Sequence, residues 1–123
     1  MSGRRTIMNE IIAERKRQIE VEGFDAEHDD FHDTEALINA ALCYHDHALG
    51  RAVYDEFGVP VSWPWDASWW KPKAPRRDLI RSGALCLADQ DRHARDGFPK
   101  QALPEQILQE CIDAILAIDG ARP

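Results

Sequence analysis

Apolar side chains recur with helical spacing in four separate segments of this 123-residue chain, and no stretch of useful length alternates as a β-strand would. The clearest stripe follows Pro104 and consists of Ile107, Leu108, Cys111, Ile112, Ile115 and Leu116. A chain of this length usually forms one hydrophobic core. The sequence therefore predicts an all-α protein, an irregular four-helix bundle in a single domain over residues 1–123.

Prolines and glycines set the predicted helix bounds. The helices should run from Thr6 to Val21, from a cap at Asp33 or Thr34 to Gly50 or Gly58, from Pro75 to Gly97 and from Pro104 to Gly120. The second helix is expected to carry Ala52 and Val53 on its stripe. On the first helix the predicted stripe is Ile7, Met8, Ile11, Ile12 and Ile19, with the polar string E-R-K-R-Q facing solvent. A Trp/Pro-rich connector with Pro60, Pro64 and Pro72 joins helices 2 and 3.

Charge and hydropathy exclude several classes of partner. The net charge of −7 disfavours general binding to DNA or RNA, which needs a basic surface. No apolar run approaches the roughly 20 residues of a membrane span, and no signal-like stretch follows the basic start. A cytoplasmic protein is expected.

Three cysteines, far apart in apolar helical patterns, are predicted to be buried, reduced thiols: Cys43, Cys86 and Cys111. An apolar stripe on so small a bundle also predicts a homo-oligomer.

The segment from Trp63 to Arg81 contains all four tryptophans and five of the fifteen basic residues. Indoles offer flat stacking faces, and cations near a helix start hold phosphate. One prediction is therefore a site for a nucleotide-like anion, formed by Trp63, Trp65, Trp69, Lys71, Arg76, Arg77 and, from the first helix, Arg17. The alternative is that the tryptophans close one end of the core while the arginines pair with an acidic stretch.

The two adjacent arginines need a negative partner. Arg76 and Arg77 fall in the first turn of the third helix, where the helix dipole disfavours cations. An anionic ligand, the acidic stretch or Asp78 can supply the compensating charge. His45 falls on the apolar stripe of the second helix, so a hydrogen-bonded core residue is predicted there.

Eight acidic residues and no lysine or arginine lie between Glu20 and Glu35. Histidine and carboxylates at such short spacing are typical ligands of divalent metals. The metal candidates are Glu10, Glu14, Glu22, His28, Asp29, Asp30 and His32. The alternative is an ordinary solvated loop in which Asp30 and Asp33 cap a turn and a helix.

Several motifs occur in one order between Glu14 and Arg95: E-R-x-R-Q, E-G-F-x-x-E-H-D-D, W-P-W, W-K-P and R-R-D-L. With them the chain resembles a family of small tailed-phage and prophage proteins that usually carry no assigned function. A shorter stretch, R-K-R-Q-I-E-V-E-G-F-D-A-E-H-D-D, is faintly similar to the ryanodine-receptor repeat domain, which would suggest a small-ligand module. The phage resemblance implies a place in the bacterial host cytoplasm.

This resemblance leaves three functions open. The first is a non-enzymatic sponge that sequesters a cyclic or ADP-ribose-derived nucleotide signal of bacterial immunity. The second is a pyrophosphohydrolase similar to MazG, using Mg²⁺ or Mn²⁺ on Glu10, Glu14, Glu22, Asp29 and Asp30, although the E-E-x-x-E and E-x-x-D spacings of that class are missing. The third is an adaptor that binds a host protein through its tryptophans. The sponge, with no cofactor, is the leading expectation.

Overall fold

The computed structural model describes residues 3–21 and 35–121, which form four α-helices and no strand. The helices are α1 (Arg4–Glu20), α2 (Ala36–Ala48), α3 (Pro75–Arg95) and α4 (Ala102–Ala121). The connector between α2 and α3 contains a single 3₁₀ turn, Ala67–Trp69, and an isolated antiparallel bridge between Tyr54 and Pro60. The all-α prediction is confirmed. Within these ranges, every helix falls short of the length or the hydropathy that crossing a bilayer demands.

Helix α3 is the centre of the bundle and packs against the other three helices, most extensively against α2. Leucine and alanine dominate its buried face, and Leu79, Ala84 and Ala88 are inaccessible to solvent. Gly83 faces α1, where an added Cβ would lie 2.9 Å from Cδ1 of Ile11. The small residue therefore allows α1 and α3 to approach closely.

Four helix bounds differ from the prediction. Helix α1 begins at Arg4, two residues early, and α2 ends at Ala48, because the chain turns at Gly50 with a positive φ of 73°. Ala52 and Val53 are therefore outside α2. Helix α4 starts at Ala102 and continues through Gly120 to Ala121, since Pro104 is tolerated in the first turn and a glycine near a helix end costs only about 1 kcal/mol. Pro75 does start α3, and Gly97 follows its end.

The buried face of α1 differs from the predicted apolar stripe. The stripe includes Ile12 and Ile19, yet these side chains are 50% and 39% exposed. Positions 7, 11, 14 and 18 share one helical face, and on α1 this face meets α3. As a result, Glu14, Arg15 and Gln18 from the polar string are buried.

The prediction of buried, unpaired cysteines is confirmed for all three. Burial raises the pKa of Cys111 to about 12 and the pKa of Cys86 well above its ordinary range. Since only the thiolate is nucleophilic, we expect iodoacetamide at pH 8 to leave both thiols unmodified in the native protein. Mass spectrometry should find all three cysteines labelled in denaturant. Labelling of Cys86 in the folded protein would contradict this burial.

Candidate functional site

Three of the four tryptophans pack together, and two of them, Trp63 and Trp70, contact Tyr44 of α2. Trp70 stacks on the Tyr44 ring with centroids 4.9 Å apart and an interplanar angle of 29°. Trp63 makes edge contacts with Tyr44 at 5.5 Å, Trp70 at 5.0 Å and Trp65 at 5.4 Å. Its indole N–H also donates to the carbonyl oxygen of Asp66 at 3.1 Å. The three rings lie against the hydrophobic core and cover part of it.

A recess of about 220 Å³ lies beside these rings and is called the aromatic cavity below. Drug-sized ligands usually occupy roughly 300–1,000 Å³, so this volume suits a single ring system. Four predicted site residues border it: Trp63, Trp65, Trp69 and Lys71. Residues of α1, α2 and α3 that the sequence does not indicate as site residues border it as well. The described lining is Gln18, Val21, Tyr44, Trp63, Trp65, Trp69, Lys71, Arg81 and Leu85.

Two cations adjoin the aromatic cavity, and they differ in how firmly they are held. The Lys71 ammonium lies 5.8 Å from the Trp69 ring centroid, and both side chains are exposed. The Arg81 guanidinium lies 4.2 Å from the Tyr44 centroid and donates to the Tyr44 hydroxyl at 2.6 Å. It also donates to the carbonyl oxygen of Lys71 at 2.6 Å. Arg81 therefore fastens the connector to α2 and α3, whereas Lys71 stays available at the rim.

Asp78 supports this anchoring from a fully buried position. One carboxyl oxygen accepts a hydrogen bond from the backbone N–H of Lys73 at 2.8 Å and lies 3.5 Å from the Arg81 guanidinium. Burial raises the pKa of Asp78 above its ordinary value, and this effect exceeds the opposite effects of the Lys73 N–H and the nearby arginines. Asp78 and Arg81 together hold the connector at Lys71 and Lys73.

The predicted arginines lie in a different place, along the contact between α1 and the start of α3. Arg76 forms two hydrogen bonds with Glu10, at 2.9 and 2.8 Å, and two with Asp119 of α4, at 2.8 and 3.0 Å. Bonds to Asp119 and then Glu10 raise its pKa above the ordinary range of an arginine. One guanidinium thus joins three helices and has most of its donors engaged.

The anion that Arg17 and Arg77 share is an internal carboxylate. The Glu14 side chain is only 2% exposed and accepts hydrogen bonds from Arg17 at 2.7 and 2.8 Å and from Arg77 at 2.6 Å. Burial alone would raise the pKa of Glu14, but these bonds and charges outweigh it and hold the pKa below 4.5. Within the described residues, carboxylates of α1 and α4 thus compensate the arginine pair. The three sources that the sequence suggested did not include them.

Of the metal candidates, Glu10 and Glu14 belong to described residues, and both are engaged by arginines. Across residues 3–21 and 35–121, no three His, Cys, Asp or Glu side chains gather in an arrangement that could hold a metal ion. The other candidates, Glu22, His28, Asp29, Asp30 and His32, lie outside the described residues. His45 is buried and contacts the Asp46 carboxylate at 2.9 Å, as expected of a hydrogen-bonded core histidine.

The motifs behind the family resemblance supply much of this architecture. E-R-x-R-Q contributes Glu14 and Gln18, W-P-W and W-K-P border or pack beside the aromatic cavity, and R-R-D-L contributes Asp78. The resemblance to tailed-phage proteins stays a prediction. Comparisons of the chain with protein-family models, with curated proteins and with solved structures find no match, so the site is interpreted from its own geometry.

Proposed function

We propose that this protein binds a nucleotide-derived small molecule without converting it, by taking the heterocyclic ring into the aromatic cavity. The observation that carries the proposal is a ring-sized recess with three indoles and a tyrosine in its wall and two cations beside it. Indole faces bind every nucleobase, because each base has a π-face. Sequestration of a nucleotide signal by a phage protein, in a homo-oligomer, is the biological setting we propose for this binding.

The geometry changes which cation should meet the phosphate. Arg76 and Arg77 already donate to Glu10, Glu14 and Asp119, so a phosphate would have to displace carboxylates from them. Lys71 is exposed at the rim and forms no ion pair with a described carboxylate. A ring inside the cavity with its phosphate outside would place the negative charge near Lys71.

Binding is favoured over hydrolysis by the state of Glu10 and Glu14. A magnesium-dependent hydrolase needs carboxylates that are free to ligate the ion. In this protein the same oxygens accept arginine hydrogen bonds of 2.6–2.9 Å. An enzyme that ligated the metal through Glu10 and Glu14 would have to release Arg76 and Arg77 first.

Binding to a host protein is the second candidate, and a separate part of the connector favours it. Residues 53–61 form a tight turn in which Val61 N–H donates to the Val53 carbonyl oxygen at 3.0 Å. The turn exposes Val53, Phe57 and Val61, with Phe57 82% exposed. Clustered apolar side chains at a surface are typical of protein contacts.

Tryptophan fluorescence provides the test, because all four tryptophans lie in or beside the aromatic cavity. Linear, cyclic and ADP-ribose-derived nucleotides are titrated into the protein while its tryptophan fluorescence is recorded. We expect at least one of them to bind. Replacing Trp69, half of which is exposed, by alanine removes a stacking face worth about 1–3 kcal/mol and should weaken binding about fivefold or more.

The matched control is Phe57→Ala, which removes an exposed aromatic ring from the same connector outside the cavity. It should leave nucleotide affinity unchanged. Mass spectrometry of the bound compound, released by heat, should recover it intact. Recovery of converted products would support an enzyme instead. Absence of nucleotide binding, together with a host-protein complex that Phe57→Ala disrupts, would favour the adaptor.

A further inference from the structure

Gln18 brings a buried amide to the border of the aromatic cavity. The residue is 2% exposed and belongs to the face of α1 that meets α3. Its Nε2 lies 3.4 Å from an oxygen of the Glu14 carboxylate. A carboxylate can only accept hydrogen bonds, so the amide NH₂ must face Glu14 and the amide oxygen must point away from it.

The amide oxygen of Gln18 has no donor in the part of the chain that the structure describes. Buried acceptors in folded proteins are nearly always satisfied, and an unsatisfied one costs about as much as a hydrogen bond contributes. Rotating the amide would satisfy nothing, because it would bring two acceptors together at Glu14. An unsatisfied acceptor on a side chain that borders a ligand-sized recess is accounted for when the ligand supplies the donor.

The other polar side chains around the cavity carry no carbonyl oxygen. Lysine, arginine and indole N–H groups are donors without an acceptor. The Tyr44 hydroxyl oxygen already accepts a hydrogen bond from Arg81. Among the described lining residues, Gln18 therefore carries the one side-chain carbonyl, and this carbonyl has no hydrogen-bond donor.

We infer that Gln18 recognises the edge of the bound ring, and that this ring carries an N–H donor such as an exocyclic amino group or an imide. The inference rests on the proposed function and specifies its ligand class. It also gives the arginine cluster a role in the site. Arg17 and Arg77 fix Glu14, and Glu14 fixes the Gln18 amide, so these three are positioning residues.

Matched nucleotide pairs test the inference. Adenosine monophosphate is compared with its N6,N6-dimethyl analogue, and uridine monophosphate with its N3-methyl analogue, by fluorescence titration. The native protein should prefer the N–H member of at least one pair by about tenfold, since a site built around a buried acceptor rejects ligands without the donor. Gln18→Met, which keeps the volume and removes the acceptor, should bind both members equally.

Thermal unfolding of the free protein separates recognition from a structural role. Gln18→Met should keep or raise the melting temperature, because it removes an unsatisfied acceptor and only one long hydrogen bond. Equal binding of both members by the native protein, while Trp69→Ala still weakens binding, would overturn the role of Gln18 and keep the proposed function. So would a preference that persists in Gln18→Met, since it would reflect methyl bulk. Absence of nucleotide binding would overturn both proposals.

Discussion

Replacing Glu14 by alanine should lower the free energy of unfolding by about 3 kcal/mol, since it removes the buried partner of two arginines and of Gln18. The estimate stays at the low end for buried pairs, because Arg17 and Arg77 are 35% and 40% exposed and can turn toward water. Urea unfolding at pH 7 measures the change.

Glu20→Ala is the matched control for this prediction. Glu20 is an exposed carboxylate on the same helix, and its contact with Lys16 is a long surface pair of 3.9 Å. Such pairs contribute about 0–1 kcal/mol, so the control should stay close to the native protein. Equal losses in the two variants would show that the buried network contributes nothing beyond an ordinary surface charge.

The same network predicts a specific acid response. The folded-state pKa of Glu14 lies below its unfolded value, so its contribution is fully present above the unfolded pKa and is lost as pH falls through the lowered folded pKa. Asp78 acts in the opposite direction. Its raised pKa means that its burial costs least at low pH and more as pH rises past 3.8. Below pH 4.5, Glu14→Gln should therefore lose less stability than the native protein, as urea midpoints across pH 3–6 would reveal.

Gly83→Leu should destabilise the fold by roughly 3 kcal/mol or more, through overpacking between α1 and α3. A Cβ at this position would lie 2.9 Å from Cδ1 of Ile11 and 3.2 Å from two further Ile11 carbons, and Ile11 is inaccessible to solvent. Gly83→Ala should change stability much less, since a helix-propensity gain of about 1 kcal/mol offsets the contact. Thermal unfolding of both variants measures the difference.

Gly120→Leu is the control for this prediction, and Ile11→Ala is the rescue. Gly120 also lies inside a helix, but no atom lies within 4 Å of a Cβ added there, so Gly120→Leu should be nearly neutral or stabilising. Adding Ile11→Ala to Gly83→Leu should recover part of the lost stability, as a double-mutant cycle would show. Losses that simply add would place the strain somewhere other than this contact.

The helices were predictable because their signals are local. Pro75 and the glycine after α3 mark bounds that backbone chemistry imposes at those positions, and the apolar stripe of α4 needs no distant partner. The polar face of α1 was not predictable in this way. Glu14 is buried where α1 packs on α3, and its partner Arg77 lies sixty-three residues further along the chain, so local periodicity does not indicate the pairing.

The site follows the same division. The positions of the four tryptophans, all within eight residues, were enough to predict a group of indoles in the connector. The sequence did not predict that Arg76 would be engaged by Glu10 and Asp119, since that arrangement depends on where α4 ends relative to α1. Gln18 was missed because a single glutamine in a polar string carries no sequence signal of burial.

The connector is anchored at two points through its backbone, so the anchoring does not depend on which side chains stand there. Its rings pack against the hydrophobic core. Arg81 donates a hydrogen bond to the backbone carbonyl oxygen of Lys71, and Asp78 accepts one from the backbone N–H of Lys73. Substitutions of Lys71 or Lys73 therefore leave this anchoring in place, whereas substitutions of the packed tryptophans also remove side chains that cover the core. The charge beside the aromatic cavity can therefore change without loss of the contacts that fix the connector.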